Sequence, residues 1–165
     1  MSARTPIWRG VIEVSRDRPW LGHGFGWKKL GRTAVEGGYV NHWQSLHGDP
    51  YAEAQAWYFA LPTDTVNPHN LPLLLFFEGG GVGLGAYAVM FVVLLWFAWR
   101  LSRQGEGDYP ILAAMALGYL CGHVVLSMFD GLWLGVGPTF AIIALLEVCR
   151  QQGREIKQEA PMRVT

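Results

Sequence analysis

The sequence predicts an all-α polytopic membrane protein, with an extramembrane loop region of short helices followed by three transmembrane helices. Of the 165 residues, 51% are hydrophobic and only 16% are charged, with eight tryptophans and 21 glycines. This composition is too apolar for an ordinary soluble domain. The charges are also unevenly distributed, because residues 79–99 and 109–129 contain none.

The loop region, residues 1–67, is predicted to contain interfacial helices. Between about residues 6 and 16, apolar and charged side chains occupy different faces of a helical repeat, which is typical of a helix lying on a surface. The apolar face consists of Ile7, Trp8, Val11, Ile12 and Ser15. A second helix is predicted to begin at Asp49-Pro50 and to continue to about Phe59.

The membrane region, residues 68–149, is predicted to begin with a short outer helix over 68–78. Asn67 is its predicted N-cap, and Pro68 suits the first helical position. The apolar run from Leu71 to Arg100 is too long for one straight span, because 30 residues make about 45 Å of helix. We therefore expect a break at the glycines 79–81, which are poor helix formers and accept unusual dihedral angles.

Three transmembrane spans follow, over about 82–100, 110–129 and 131–149, and residues 150–165 form a tail. Basic residues follow the first and third spans, whereas the turn between the second and third has none. The positive-inside rule then places residues 100–109 and the tail in the cytoplasm, with residues 1–70 on the opposite side.

Other features exclude several classes of protein. The formal net charge is zero, so nucleic acid is not an expected partner. Cys121 and Cys149 lie in apolar stretches without metal-binding spacing, and we expect no metal and no cofactor. Because no apolar leader opens the chain, translocation of residues 1–70 predicts preceding membrane helices. We expect the chain to be the C-terminal part of a larger membrane protein, or to join such helices on another chain.

Two ionisable groups flank the apolar run and are candidates for chemistry. His69 is expected at the second position of the outer helix, where the helix dipole favours the neutral imidazole that a general base needs. The alternative is a loop histidine with local hydrogen bonds. Asn70 is placed to orient a hydroxyl or a sugar. Glu78 is interpreted as catalytic or as a polar support of the glycine break, since a carboxylate beside hydrocarbon needs a partner.

The remaining candidates are glycines and arginines. Gly80 and Gly83 are interpreted as structural supports that permit close packing, because no Lys-Ser/Thr pair follows them as in a phosphate-binding loop. Four arginines precede the first glycine-rich turn, and guanidinium groups suit bidentate phosphate binding. A solvated basic face is the alternative for these residues, which are Arg4, Arg9, Arg16 and Arg18.

Two ordered motifs resemble those of the O-antigen ligase superfamily of bacterial membrane glycan transferases. The first is an Arg-x-x-x-Trp opening, Arg4 and Trp8, followed by a Pro-x-x-Gly-x-Gly turn. That turn consists of Pro19, Gly22 and Gly24. The second is a His-Asn pair followed after nine residues by Gly-x-x-Gly. It consists of His69, Asn70, Gly80 and Gly83, with Glu78 in the acidic place before the first glycine.

The resemblance implies a multi-pass protein of the bacterial inner membrane in which residues 1–67 form a periplasmic loop region. It implies transfer of a glycan from an undecaprenyl-diphosphate carrier to a hydroxyl acceptor such as lipid A core, without a metal or other cofactor. His69 is then the candidate base and Arg4 a candidate diphosphate ligand. Polymerisation of glycan repeat units is an alternative, as is a non-enzymatic transport or assembly component on the same scaffold.

Overall fold

A computed structural model of the chain describes residues 4–26, 28–62, 65–103 and 109–128, and the short stretches 142–144, 146–148 and 150–151. Six helices follow one another: α1 (Arg4–Ser15), α2 (Lys29–Glu36), α3 (Tyr39–Ser45), α4 (Pro50–Phe59), α5 (Leu71–Ser102) and α6 (Tyr109–Ser127). The described residues contain no strand, so the predicted all-α class is confirmed for this part of the chain.

The contacts divide the chain into two units. The first unit, residues 1–87 and 127–131, has a small apolar core beneath α1 to α4. The rings of Trp43 and Phe59 lie 5.1 Å apart at its centre, and both side chains are fully buried. The Trp43 indole also donates a hydrogen bond of 3.1 Å to Glu13, so its only polar atom is paired. The loop region is therefore a packed helical unit with its own core.

Helix α4 begins as the sequence predicts. Asp49 is the N-cap, and its side chain accepts a hydrogen bond of 2.9 Å from the Tyr51 backbone N–H. Pro50 occupies the first turn, where its missing N–H costs no helical hydrogen bond. The helix ends at Phe59, so both predicted ends are confirmed.

Helix α1 packs against α4, and its predicted apolar face is correct only in part. Val11 and Ser15 are fully buried as expected, and Val14 is buried with them. Ile12, however, is 38% exposed. An added Cβ at Gly10 would lie 2.7 Å from the Phe59 ring, so α1 and α4 approach closely at this glycine. The buried face is rotated from the predicted one toward Gly10 and Val14, because this side of α1 packs against α4.

Helices α2 and α3 are not predicted by the sequence pattern. Each begins after a residue in the left-handed region, Lys28 at φ 71° and Gly38 at φ 75°, and neither start has a side-chain cap. Both helices are short, with 8 and 7 residues. The usual start signals of Ser, Thr, Asp or Asn are therefore missing, and tertiary packing forms these helices.

Helices α5 and α6 are long and apolar enough to cross a membrane by length and composition, over Leu71–Ser102 and Pro110–Ser127. Only 17% and 22% of their most apolar windows are buried inside the structure. Such exposed apolar surface suits a lipid environment. The third predicted span, 131–149, lies largely outside the described residues and stays a prediction.

The second unit contains residues 88–126 and 132–165. Within it, the His123 ring stacks on Phe91 of α5, with ring centroids 5.2 Å apart. Tyr119 lies one turn before His123 and forms a second, looser stacked contact at 6.2 Å. These contacts place His123 among aromatic side chains, which agrees with a packing role for a histidine on an apolar helix.

Candidate functional site

The segment before α5 is held by side chains from two helices of the loop region. The Trp8 indole of α1 donates a hydrogen bond of 2.9 Å to the Pro68 carbonyl. The Tyr58 hydroxyl of α4 donates one of 2.6 Å to the Asn67 carbonyl and accepts one of 3.0 Å from the Asn67 N–H. These three bonds fix the backbone immediately before His69.

His69 is exposed and lies before the helix, in the left-handed region with φ 47°. Its N–H donates a hydrogen bond of 2.9 Å to the Asn67 side chain, which forms a local turn. The prediction of His69 at the second helical position is therefore wrong, and the helix-dipole argument for its neutral form does not apply. A non-glycine residue keeps this conformation only where its surroundings impose it, and Trp8 and Tyr58 supply that restraint.

Asn70, and not Asn67, is the N-cap of α5. Its side-chain oxygen accepts a hydrogen bond of 3.0 Å from the Leu73 N–H, and its carbonyl accepts one from Leu74. Its amide nitrogen donates a hydrogen bond of 2.9 Å to the Met128 carbonyl. Asn70 is buried, with 6% of its surface exposed. Its amide is thus engaged in the fold, and contact with a substrate stays a prediction.

The break in α5 is at Gly80, as predicted from the glycine run. Gly80 has φ 61° and ψ −161°, a combination that is open essentially to glycine alone. An unbroken helix would join the Gly81 N–H to the Phe77 carbonyl and the Val82 N–H to the Glu78 carbonyl. At the break, all four of these groups pair with residues of another segment.

That segment is the Pro19–Gly24 turn, and we call its pairing with Phe77–Val82 the Gly80 junction. The carbonyls of Pro19 and Trp20 accept hydrogen bonds from Gly81 and Val82, at 2.7 and 3.1 Å. The N–H groups of His23 and Gly24 donate to the Phe77 and Glu78 carbonyls, at 2.8 and 2.7 Å. Four backbone bonds therefore replace the two that the helix loses.

Two glycines make the Gly80 junction sterically feasible. An added Cβ at Gly22 would lie 2.4 Å from the Glu78 carbonyl oxygen, and one at Gly80 would lie 2.3 Å from the Trp20 carbonyl carbon. Both residues also have positive φ. In contrast, an added Cβ at Gly83 meets only the Leu75 carbonyl, at an ordinary 3.7 Å. The supporting role predicted for Gly80 thus corresponds to a close backbone contact, whereas Gly83 has only an ordinary van der Waals contact.

Glu78 contacts the turn through its backbone, and its side chain contacts residues just after the turn. Its carboxylate accepts a hydrogen bond from the Gly26 N–H and lies near the charge of Lys29. The side chain is half-buried, and these two partners compensate part of the loss of water. The contacts favour the supporting interpretation of Glu78 over the catalytic one.

His23 stabilises the junction and is not suggested by the sequence pattern. Its Nε2 lies 3.0 Å from the Val14 carbonyl at the end of α1, and the ring N–H donates this hydrogen bond. The ring also stacks on Phe77, with centroids 4.8 Å apart. His23 thus joins α1 to α5. Its position between two turn glycines is the only sequence signal, and it does not reveal these partners.

The predicted phosphate-binding arginines are distributed along α1 and the turn after it. Arg4 precedes Trp8 by one helical turn and therefore shares its face of α1. Arg9 lies over the Tyr51 ring, 5.9 Å from its centroid. A groove of about 540 Å³ runs along α1, and its lining residues are Thr5, Trp8, Arg9, Ile12, Glu13 and Arg16. Arg18 is exposed and does not line this groove.

Comparisons of the chain with protein-family models, with curated proteins and with solved structures give no match. The resemblance therefore depends on the motif residues themselves. The structure adds how these residues contact one another: Trp8 reaches the residue before His69, and the Pro19–Gly24 turn pairs with the Gly80 break. Among the described residues, no group of three His, Cys, Asp or Glu side chains could hold a metal ion.

Proposed function

We propose that the chain is the C-terminal part of an O-antigen ligase-like glycosyltransferase of the bacterial inner membrane. It would move a glycan from an undecaprenyl-diphosphate carrier to a hydroxyl acceptor such as lipid A core. One observation supports the proposal: the two resembling motifs, more than 40 positions apart in sequence, meet through hydrogen bonds. The Gly24 N–H of the first motif donates to the Glu78 carbonyl of the second, and the other bonds join residues within or next to the motifs.

His69 is the base in this proposal. Its ring nitrogen takes the proton of the acceptor hydroxyl, the hydroxyl oxygen attacks the anomeric carbon of the donor sugar, and the bond from that carbon to the diphosphate breaks. The exposed position of His69 admits a large acceptor. The restrained backbone around it favours a fixed ring position, which reduces the entropy cost of reaching the transition state.

The arginines bind the leaving diphosphate in this proposal. Arg4 is the first candidate because it shares the Trp8 face of α1, and Trp8 contacts the residue before His69. Arg9 and Arg16 line a groove on the same helix, where an elongated anion fits beside an indole ring. Guanidinium groups stabilise the negative charge that develops on the diphosphate as the sugar leaves. Arg18 and Asn70 are further candidates for contact with the substrate.

The test is glycan transfer in bacterial membranes that contain the protein at its natural full length. The sharpest variant is His69→Asn, because asparagine tolerates the left-handed conformation and lacks the imidazole. We expect transfer to fall by about 10²- to 10⁴-fold, the usual contribution of a general base. The matched control is His47→Asn, at another exposed histidine of the loop region. Unchanged transfer by the His69→Asn protein would refute the catalytic role.

A further inference from the structure

The turn that pairs with the Gly80 break exposes a concentrated apolar surface. Trp20, Leu21 and Phe25 are 74%, 76% and 74% exposed, although they lie within six residues of one another. We call these three side chains the apolar turn surface. Isolated exposed apolar residues are ordinary, but a cluster of large ones indicates contact with something other than water.

The position of this surface relative to α5 is fixed by the Gly80 junction. The Trp20 carbonyl accepts a hydrogen bond from Val82, the first residue of the predicted span, and Val82 itself is 57% exposed. The Trp20 ring also lies against Gly81, at 3.7 Å from an added Cβ. The apolar turn surface therefore adjoins Gly81 and Val82, where the predicted span begins.

Basic residues flank the apolar turn surface in sequence. Arg18 precedes it by two residues and Lys28 follows it by three, and both side chains are exposed. Glu78 is directed to Gly26 and Lys29 just behind the turn, and these two partners offset part of the cost of its burial. An apolar patch bordered by basic residues matches the boundary between acyl chains and anionic headgroups. Tryptophan in particular is enriched at that boundary.

We propose that the apolar turn surface inserts into the outer interfacial layer of the lipid bilayer. Trp20, Leu21 and Phe25 contact the upper acyl chains, while Arg18 and Lys28 lie among the lipid phosphates. The turn would thereby set the depth of the Gly80 break in the membrane. This inference does not require glycan transfer and stands or falls independently of the proposed function.

The experiment measures the surroundings of Leu21 with an environment-sensitive fluorophore. Leu21→Cys is labelled with a nitrobenzoxadiazole dye in a Cys121→Ser, Cys149→Ser background, and the protein is reconstituted into phosphatidylethanolamine–phosphatidylglycerol vesicles. Because Leu21 is 76% exposed, the substitution removes little packing. The matched control is Val35→Cys on α2, a 48% exposed apolar residue of the same unit that lies ten positions after Phe25.

We expect the Leu21 label to emit at shorter wavelength, to lose most of its fluorescence to lipids with a nitroxide near the headgroup, and to resist aqueous iodide. The Val35 label should show the opposite pattern. Quenching of the Leu21 label by iodide and not by nitroxide lipid would overturn the proposal in favour of water exposure. Protection from both quenchers would overturn it in favour of a covering protein. Phe25→Cys provides a second labelling position with the same two expected outcomes.

Discussion

Helix α5 has two irregular points, its start at Asn70 and its break at Gly80, and the chain forms them by different means. Side chains make the start: Asn70 caps the helix, while Trp8 and Tyr58 hold the residues before it. At the break, the bonds of the Gly80 junction all join backbone groups. Side-chain bonds depend on residue identity and ionisation, whereas backbone bonds depend only on the space that glycine leaves. The two points should therefore respond differently to substitution and to pH.

The largest effect is expected at the break. Gly80→Ala should destabilise the protein by on the order of 4 kcal/mol, because its Cβ would overlap the Trp20 backbone and alanine resists this conformation. Gly79→Ala is the matched control: an added Cβ there has no neighbour within 4 Å, and alanine should raise the helix stability by about 0.5–1 kcal/mol. Unfolding in detergent, followed by circular dichroism, measures both. Equal effects at the two glycines would contradict the Gly80 junction.

A smaller effect is expected at the start. Asn70→Ala removes the cap and the hydrogen bond to Met128, and should lower the free energy of unfolding by about 2–3 kcal/mol. Asn67→Ala loses only the bond from the His69 N–H, because the bonds of Asn67 with Tyr58 use its backbone. It should lower this free energy by about 0.5–1 kcal/mol. A larger loss of stability in Asn67→Ala than in Asn70→Ala would show that Asn67 is the cap.

The smallest effect is expected in how the stability of the Asn70 start depends on pH. Burial raises the pKa of Tyr58 above its usual 10.0, and the hydrogen bond with Asn67 lowers it in part. The neutral phenol therefore stabilises the folded chain below about pH 10, and this contribution is lost as the pH rises through the raised pKa. Tyr58→Phe should be about 1 kcal/mol less stable at neutral pH but should lose less stability on alkaline titration.

Phenolate absorbance measures the ionisation in the same samples. Tyr39→Phe is the control, because burial and the hydrogen bond to Asp17 raise the pKa of Tyr39 to about 12 at a position that does not contact the Asn70 start. Equal alkaline loss of stability in wild type and Tyr58→Phe would show that the phenol does not hold the start.

The sequence predicts the break better than the start for a physical reason. Consecutive glycines after an apolar run have few alternative uses, so the position of the break follows from residue type. At the start, Asn67 and Asn70 are equally good caps, and Pro68 and Pro72 both suit a first turn. The choice between them is made by Tyr58 and Met128, which are distant in sequence. A residue pattern cannot contain that information.

The candidate site, too, could be predicted from the sequence only in part. The motif residues Trp8, His69 and Gly80 are recognisable from their types and order, and the structure gives Trp8 and Gly80 specific contacts. The partners of those residues could not be read from the pattern. His23 illustrates this limit, because its two contacts, with Val14 and Phe77, depend on how the turn crosses α5.

The Gly80 junction also imposes an order on assembly during synthesis. The Pro19–Gly24 turn leaves the ribosome well before Phe77–Val82, so its open backbone groups must stay hydrated until α5 arrives. Until then, α5 can satisfy its own groups as an unbroken rod, with Gly81 and Val82 bonded one turn back. The turn and α5 are separated by more than 50 residues, and contacts between segments so far apart form slowly compared with a helix. We therefore expect a late step in which the already formed helix opens at Gly80 and pairs with the turn.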